Sequence, residues 1–268
     1  MNYKTIILEK KEHIATLTLN RPEKLNAISQ EMFPELLSAI ADVDDDDEMR
    51  VLVLTGAGRA FCSGRDAGGR AQGERERSAD RGPEAARQGI LKGPTWIMWG
   101  LQKMEKPTIA MVNGVAAGVG CDLAFSCDLR VGSENARFMN AYVRMGMFPG
   151  AGGCWLYPRV MGLGKALQYL FTGDFIEAKE AEKIGVLNEL VPAAELEEKT
   201  MALARKIAKG PPIAMKLMKF QTYTGLEMDF ETALRYAAAC ETITLGSEDV
   251  REGAKAFGER RPPIFKGK

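Results

Sequence analysis

Residues 51–55, VLVLT, form a short run without charge, and residues 107–112, PTIAMV, repeat its character further along the chain. A strand of this kind has no polar face to offer water, so it belongs inside a sheet covered on both sides. The runs LAFSCDLRVG (123–132) and ARFM (136–139) follow, with a glycine-rich stretch between the second run and the third. Strand-like and helical units therefore alternate, and the expected class is α/β.

The rest of the chain arranges itself around that core. Residues 3–9 and 13–19 read as a hairpin of alternating strands about the charged turn EKKE, and 29–43 as a helix starting at Ser29 with Glu31 in its first turn. The run DDDDE (44–48) points its carboxylates in different directions, so it reads as a solvated turn that ends the helix. From Arg65 to Gly93 the sequence is rich in Gly, Arg, Glu, Asp and Ala, with little to bury. It reads as a mobile surface segment and a candidate lid, giving way to a helix near ILKGPTWIMWGLQKM. After GMFPGAGG (146–153) the pattern turns mostly helical, with about four helices from Pro192 onward. The division expected is an α/β core over 1–191 and a helical region over 192–268.

Several function classes are excluded or disfavoured. With 36 basic and 36 acidic residues the net charge is zero, which gives no electrostatic reason to expect nucleic acid or an anionic membrane as partner. No apolar run approaches the roughly 20 residues that span a bilayer, and MNYKTIILEKKE lacks a long apolar signal region, so a cytoplasmic protein is expected. Five scattered cysteines without a C-x-x-C pair fit reduced thiols, and no zinc or other metal site is expected. His13 is the only histidine and reads as a half-exposed strand residue. Acid-base chemistry must then come from carboxylate, tyrosine, lysine or bound water. GAGRAF (56–61) resembles a dinucleotide fingerprint, but Phe61 takes the third glycine position and no helix follows.

Two glycine turns hold more promise. SGRD (63–66) and GVGCD (118–122) each follow a strand, the second opening a helix over 119–126. Small residues let the backbone approach a ligand, with N–H groups not yet committed to hydrogen bonds. Side by side, such turns could aim two N–H groups at one oxygen. They could equally serve only tight packing.

At these residues the sequence resembles the enoyl-CoA hydratase/isomerase family, also called the crotonase superfamily. The resemblance runs through LNRPEKLNAIS (19–29), VLVLTGAGRAFCSGRDAGG (51–69), KPTIAMVNGVAAGVGCDLAFSCDLRVGSENARF (106–138), the segment 146–192 and EDVREGAKAFGERRPP (248–263). It implies a spiral of ββα units with a helical C-terminal region that trimerises, giving a homotrimer or homohexamer. It implies an acyl-CoA enzyme, most simply an enoyl-CoA hydratase or dehydratase, with CoA thioester as substrate and no separate cofactor. The backbone N–H groups of Arg65 and Val119 would hold the thioester oxygen. Lys24, Leu25, Asn26 and Ala27, with Asp66, Ala67 and Gly68, would line the path of CoA, and Phe257 and Arg260 would reach toward it, in a neighbouring subunit if not their own.

The acids depart from the family pattern. Typical hydratases carry two glutamates; the first aligns with Asp122 and the second with Tyr142. Tyrosine, with a reference pKa of about 10, is a poor base near neutrality. The turn Pro149-Gly150-Ala151-Gly152-Gly153 lacks the aspartate that other members use for isomerisation or nucleophilic attack. Asp122 is the one family-aligned acid left, while Asp128 and Glu134 read as structural. Phe138, Met139, Tyr142, Met145, Met147, Phe148 and Trp155, with Trp96 and Trp99, fit either plain core or a pocket for a bulky cyclic or aryl acyl group. Two other readings stand beside the hydratase: a double-bond isomerase or C–C lyase using one base, and a non-catalytic acyl-CoA-binding protein.

Overall fold

The computed structural model describes residues 3–66, 82–91, 93 and 95–268. A six-stranded sheet has the order β1 (Ile6–Lys11), β2 (Ile14–Leu19), β3 (Val51–Gly56), β5 (Thr108–Val112), β7 (Leu129–Ser133), β10 (Glu189–Val191). A four-stranded sheet has the order β4 (Ala60–Cys62), β6 (Val115–Ala117), β8 (Arg137–Met139), β9 (Phe175–Glu177). The β1–β2 and β8–β9 pairs are antiparallel and all other named pairs are parallel.

The two apolar runs lie where their composition requires. In β3, Leu52 and Leu54 join a core with α1 (Met32–Asp44) and α3 (Thr95–Lys103), while Val51 and Val53 join a second core with α8 (Leu196–Ala208). β5 divides the same way: Ala110 and Val112 face the first core, Ile109 and Met111 the second. Each fully buried aliphatic side chain of this size contributes roughly 1.5–3 kcal/mol of transfer free energy, so a polar substitution on either face is costly.

The chain winds by repetition. β3 and β4, β5 and β6, then β7 and β8 each put their first strand in the large sheet and their second in the small one. The second pair leads into α4 (Val119–Ser126), and the third, after a turn at 143–145, into α5 (Gly153–Met161). The expected spiral of ββα units is present.

Local differences have physical causes. The hairpin turns at Glu12 and His13, both left-handed, so His13 leaves the ladder and stands exposed with Nδ1 2.8 Å from the Glu48 carbonyl oxygen. Ser29 does accept the Met32 N–H at 3.1 Å, three residues before that N–H's helix is regular. Below the acidic run, the Lys106 ammonium donates to the carbonyls of Val43, Asp44 and Asp46 at 2.6, 2.8 and 2.6 Å, which closes the end of α1. The stretch 65–93 contains a helix, α2 (Gly82–Leu91), steadied by Glu84 paired with Arg87 at 2.8 Å; the lid expectation falls on 67–81, outside the described residues. The helical stretch after 153 includes the three-residue strands β9 and β10, too short to show a period of two. Beyond α6 (Leu163–Thr172), α7 (Ala178–Lys183) and α8, the chain ends in α9 (Pro212–Gly225), α10 (Phe230–Leu245) and α11 (Glu248–Glu259). No helix among the described residues is long and apolar enough to cross a membrane.

Candidate active site

β4, β6 and β8 are parallel neighbours, so their C-terminal ends open on one edge of the small sheet. Ligand sites in parallel sheets gather at that edge. Ser63–Asp66 follow β4, Gly118 and Val119 follow β6, and Asn140 to Tyr142 follow β8. Gly64 has φ +108°, and a Cβ there would stand 2.9 Å from the Ala117 carbonyl oxygen and 3.9 Å from Val119 N. The two glycine turns are thus in contact, as their shared edge demands. Gly118, with φ 52° and ψ −123°, bends the chain into α4, and Val119 is the first residue of that helix. A first-turn N–H has no carbonyl of its own helix to receive it. On the other turn, Ile28 donates to the Gly64 carbonyl at 2.8 Å and accepts the Asp66 N–H at 3.0 Å, which directs the Arg65 N–H away from Ile28.

Asp122 is the fourth residue of α4, a helix buried along its whole length. The Tyr142 hydroxyl donates to its Oδ2 at 2.7 Å, while Oδ1 has no hydrogen-bond partner among the described residues. Burial pushes the Asp122 carboxyl up to about 7, against the opposing pull of the Tyr142 hydrogen bond. Burial and the neighbouring Asp122 charge push the Tyr142 hydroxyl far above its ordinary range, so it stays protonated and serves as a donor. Tyr157 donates to Cys121 Sγ at 3.0 Å behind this pair, and burial raises that thiol too.

Gly153 matters for what it lacks. A Cβ on it would stand 3.0 Å from Asp122 Oδ1 and 2.9 Å from Pro149 Cβ. The turn that the sequence marked only for its missing acid is pressed against the acid that remains. Nothing in the spacing alone announces this contact.

The segment 24–27 lies against the first glycine turn. Ser63 N donates to the Leu25 carbonyl at 2.9 Å, and Ser63 Oγ to the Lys24 carbonyl at 3.3 Å. Leu25 and Asn26 are both left-handed, and Asn26 turns its side chain inward. It accepts from Arg21 N at 2.9 Å and donates to the Ala57 and Ala60 carbonyls at 2.8 Å each, so Asn26 supports the turn rather than offering its amide outward. Arg21 pairs with Asp66 at 2.9 Å beside a polar cavity of about 280 Å³ that Arg65 also lines. Ala67 and Gly68 lie outside the described residues.

The family model for enoyl-CoA hydratase/isomerase matches residues 9–268. The chain belongs to the enoyl-CoA hydratase/isomerase family. It is 36% identical to the short-chain-enoyl-CoA hydratase of Clostridium acetobutylicum over 262 residues, 97% of each chain. It is 35% identical to the (E)-benzylidenesuccinyl-CoA hydratase of Thauera aromatica, covering 98% of this chain and 99% of that one. The crystal structure of enoyl-CoA hydratase from Bacillus anthracis superposes with a TM-score of 0.90 at 31% identity, covering 99% of this chain and all of the other.

Against the family pattern, the remaining positions sort by place. Asp122 and Tyr142 touch each other instead of standing apart as two acids. Phe257 is 88% exposed on α11, and Arg260 is the left-handed residue ending that helix. Asp128 accepts from the Thr108 N–H and hydroxyl and from Tyr223, and pairs with Lys219 at 2.8 Å, a structural role. Glu134 is exposed. Phe138 is core, whereas Met145, Met147 and Phe148 are exposed. Among the described residues no group of three or more His, Cys, Asp or Glu side chains could hold a metal ion.

Proposed function

We propose that the protein is an enoyl-CoA hydratase, a lyase that adds water to an enoyl thioester or removes it. The carrying observation is the Asp122 carboxyl, buried, poised near neutrality and with one oxygen unbonded beside two main-chain turns. The thioester oxygen sits between the N–H groups of Arg65 and Val119. Asp122 Oδ1 takes a proton from water as the water oxygen bonds to Cβ. The double-bond electrons move toward the thioester, forming an enolate that the two N–H groups stabilise. The proton on Oδ1 then passes to Cα, so the carboxylate ends as it began. Tyr142 holds Oδ2 and so fixes which oxygen works.

Crotonyl-CoA consumption by the purified protein tests this, with Asp122→Asn expected to lower kcat/KM by about 10²–10⁴-fold. The single working oxygen also suits an isomerase, because one base can lift a proton from one carbon and return it to another. Product analysis separates them: a hydroxyacyl-CoA supports the hydratase, a shifted double bond the isomerase. Thioester binding without turnover of either kind means an acyl-CoA-binding protein.

The same reading makes the enzyme cytoplasmic, with CoA arriving on the substrate and no resident cofactor. It also makes 192–268 an oligomerisation region that builds a homotrimer or homohexamer. Support comes from the apolar side chains that α9 to α11 leave exposed, among them Met218, Phe230, Leu234 and Phe257.

A further inference from the structure

Beside Gly152 opens a cavity of about 710 Å³, bounded by α3, the start of α5 and α9. Its size falls within the usual range for small-molecule sites, roughly 300–1,000 Å³. Its walls include four aromatic side chains, Trp99, Trp155, Phe220 and Tyr223, along with Leu156 and Leu217. Lys103 sits 4.8 Å from the centre of the Trp99 ring, and the Arg159 guanidinium 3.9 Å from that of Trp155, so each indole is steadied by a cation. The α9 wall is fastened as well. Lys219 and Tyr223, both lining the cavity, reach the two oxygens of Asp128 at 2.8 and 2.9 Å.

A series of contacts leads to this cavity from the glycine turns. Gly64 abuts Val119; Gly118 abuts the Tyr142 ring, where a Cβ would lie 3.9 Å from Cζ; Tyr142 bonds Asp122; Asp122 Oδ1 meets Gly153; and Gly152 lines the cavity. An acyl thioester has the same order: carbonyl, reacting carbons, remainder of the acyl group. We propose that the cavity receives the remainder, and that the group it takes is an aryl ring set among Trp99, Trp155 and Phe220. This rests on the acyl-CoA reading above. Rings in such a box gain stacked and edge-on contacts that a saturated chain does not, whereas the methyl group of a crotonyl thioester would leave the box empty.

The test compares trans-cinnamoyl-CoA with crotonyl-CoA in the wild type, a Trp99→Ala/Trp155→Ala variant and a Trp99→Phe/Trp155→Phe variant. Thermal midpoints confirm that each is folded. The ratio of kcat/KM for cinnamoyl-CoA to that for crotonyl-CoA is expected to fall at least tenfold in the alanine variant and to recover most of its value in the phenylalanine one. An unchanged ratio overturns the proposal. So does a loss of the native oligomer in the alanine variant, which would make the cavity an interface between copies. If the wild type turns over neither thioester, the hydratase reading falls by itself. The cavity is then judged by the Kd of cinnamoyl-CoA: a rise of tenfold or more in the alanine variant supports it, and an equal Kd overturns it.

Discussion

Asp122 is fully buried, with the Tyr142 hydroxyl as the hydrogen-bond donor to its carboxyl, and the consequences are measurable. Water addition needs the ionised form, so kcat/KM is expected to fall tenfold per pH unit below about 7. The Tyr142 hydrogen bond holds that value down, so Tyr142→Phe should move the midpoint to higher pH and lower activity at neutrality. A merely structural tyrosine would not shift the midpoint. Stability follows the opposite sign. Because the folded carboxyl titrates well above its unfolded value near 4, it favours the fold fully at low pH, and that contribution disappears as pH rises from about 4 through about 7. Thermal midpoints measured from pH 5 to 8 should therefore fall more steeply in the wild type than in Asp122→Asn, with a difference of a few kcal/mol across the window. Asp122 and Tyr142 were legible as candidates from the family pattern. Their mutual hydrogen bond and the pressure of Gly153 on Oδ1 were not, since they depend on a turn 31 positions beyond Asp122 in the sequence folding back against it.

Among the elements, α9 has the least obvious anchorage. Its exposed side carries Met218 and Phe220, while Lys219 and Tyr223 cross to Asp128 at the start of β7. Lys219 Nζ also reaches the carbonyl oxygen of Lys106 at 3.1 Å. Lys219→Met leaves the partly buried Asp128 charged with only Thr108 and Tyr223 as donors among the described residues, and is expected to destabilise the fold, read as a lower urea midpoint. Elements with continuous signals could be read from the sequence: β3 and β5 by their double-sided apolarity, α4 by the glycine turn before it. The strands β9 and β10, at three residues each, and α2, with few apolar residues, gave no comparable pattern. For the two strands the neighbours decide: β9 forms because β8 offers an edge, and β10 because β7 does.

On the scale of the molecule, the C-terminal helices are apolar on surfaces that this chain alone does not cover. Phe230 and Phe257 are 79% and 88% exposed. Sedimentation equilibrium is expected to give three chains or six, and a monomer would remove the assembly from the proposed function. The edge where β4, β6 and β8 finish has a consequence for how such a protein can change over generations. Arg65 and Val119 present main-chain N–H groups there, which any residue but proline supplies, while Tyr142 follows its strand by three residues in a turn that the sheet does not specify. On the proposed mechanism, a replacement at Tyr142 can therefore alter the reaction while the geometry proposed to grip a thioester stays heritable and intact. One scaffold can then explore new chemistry a residue at a time.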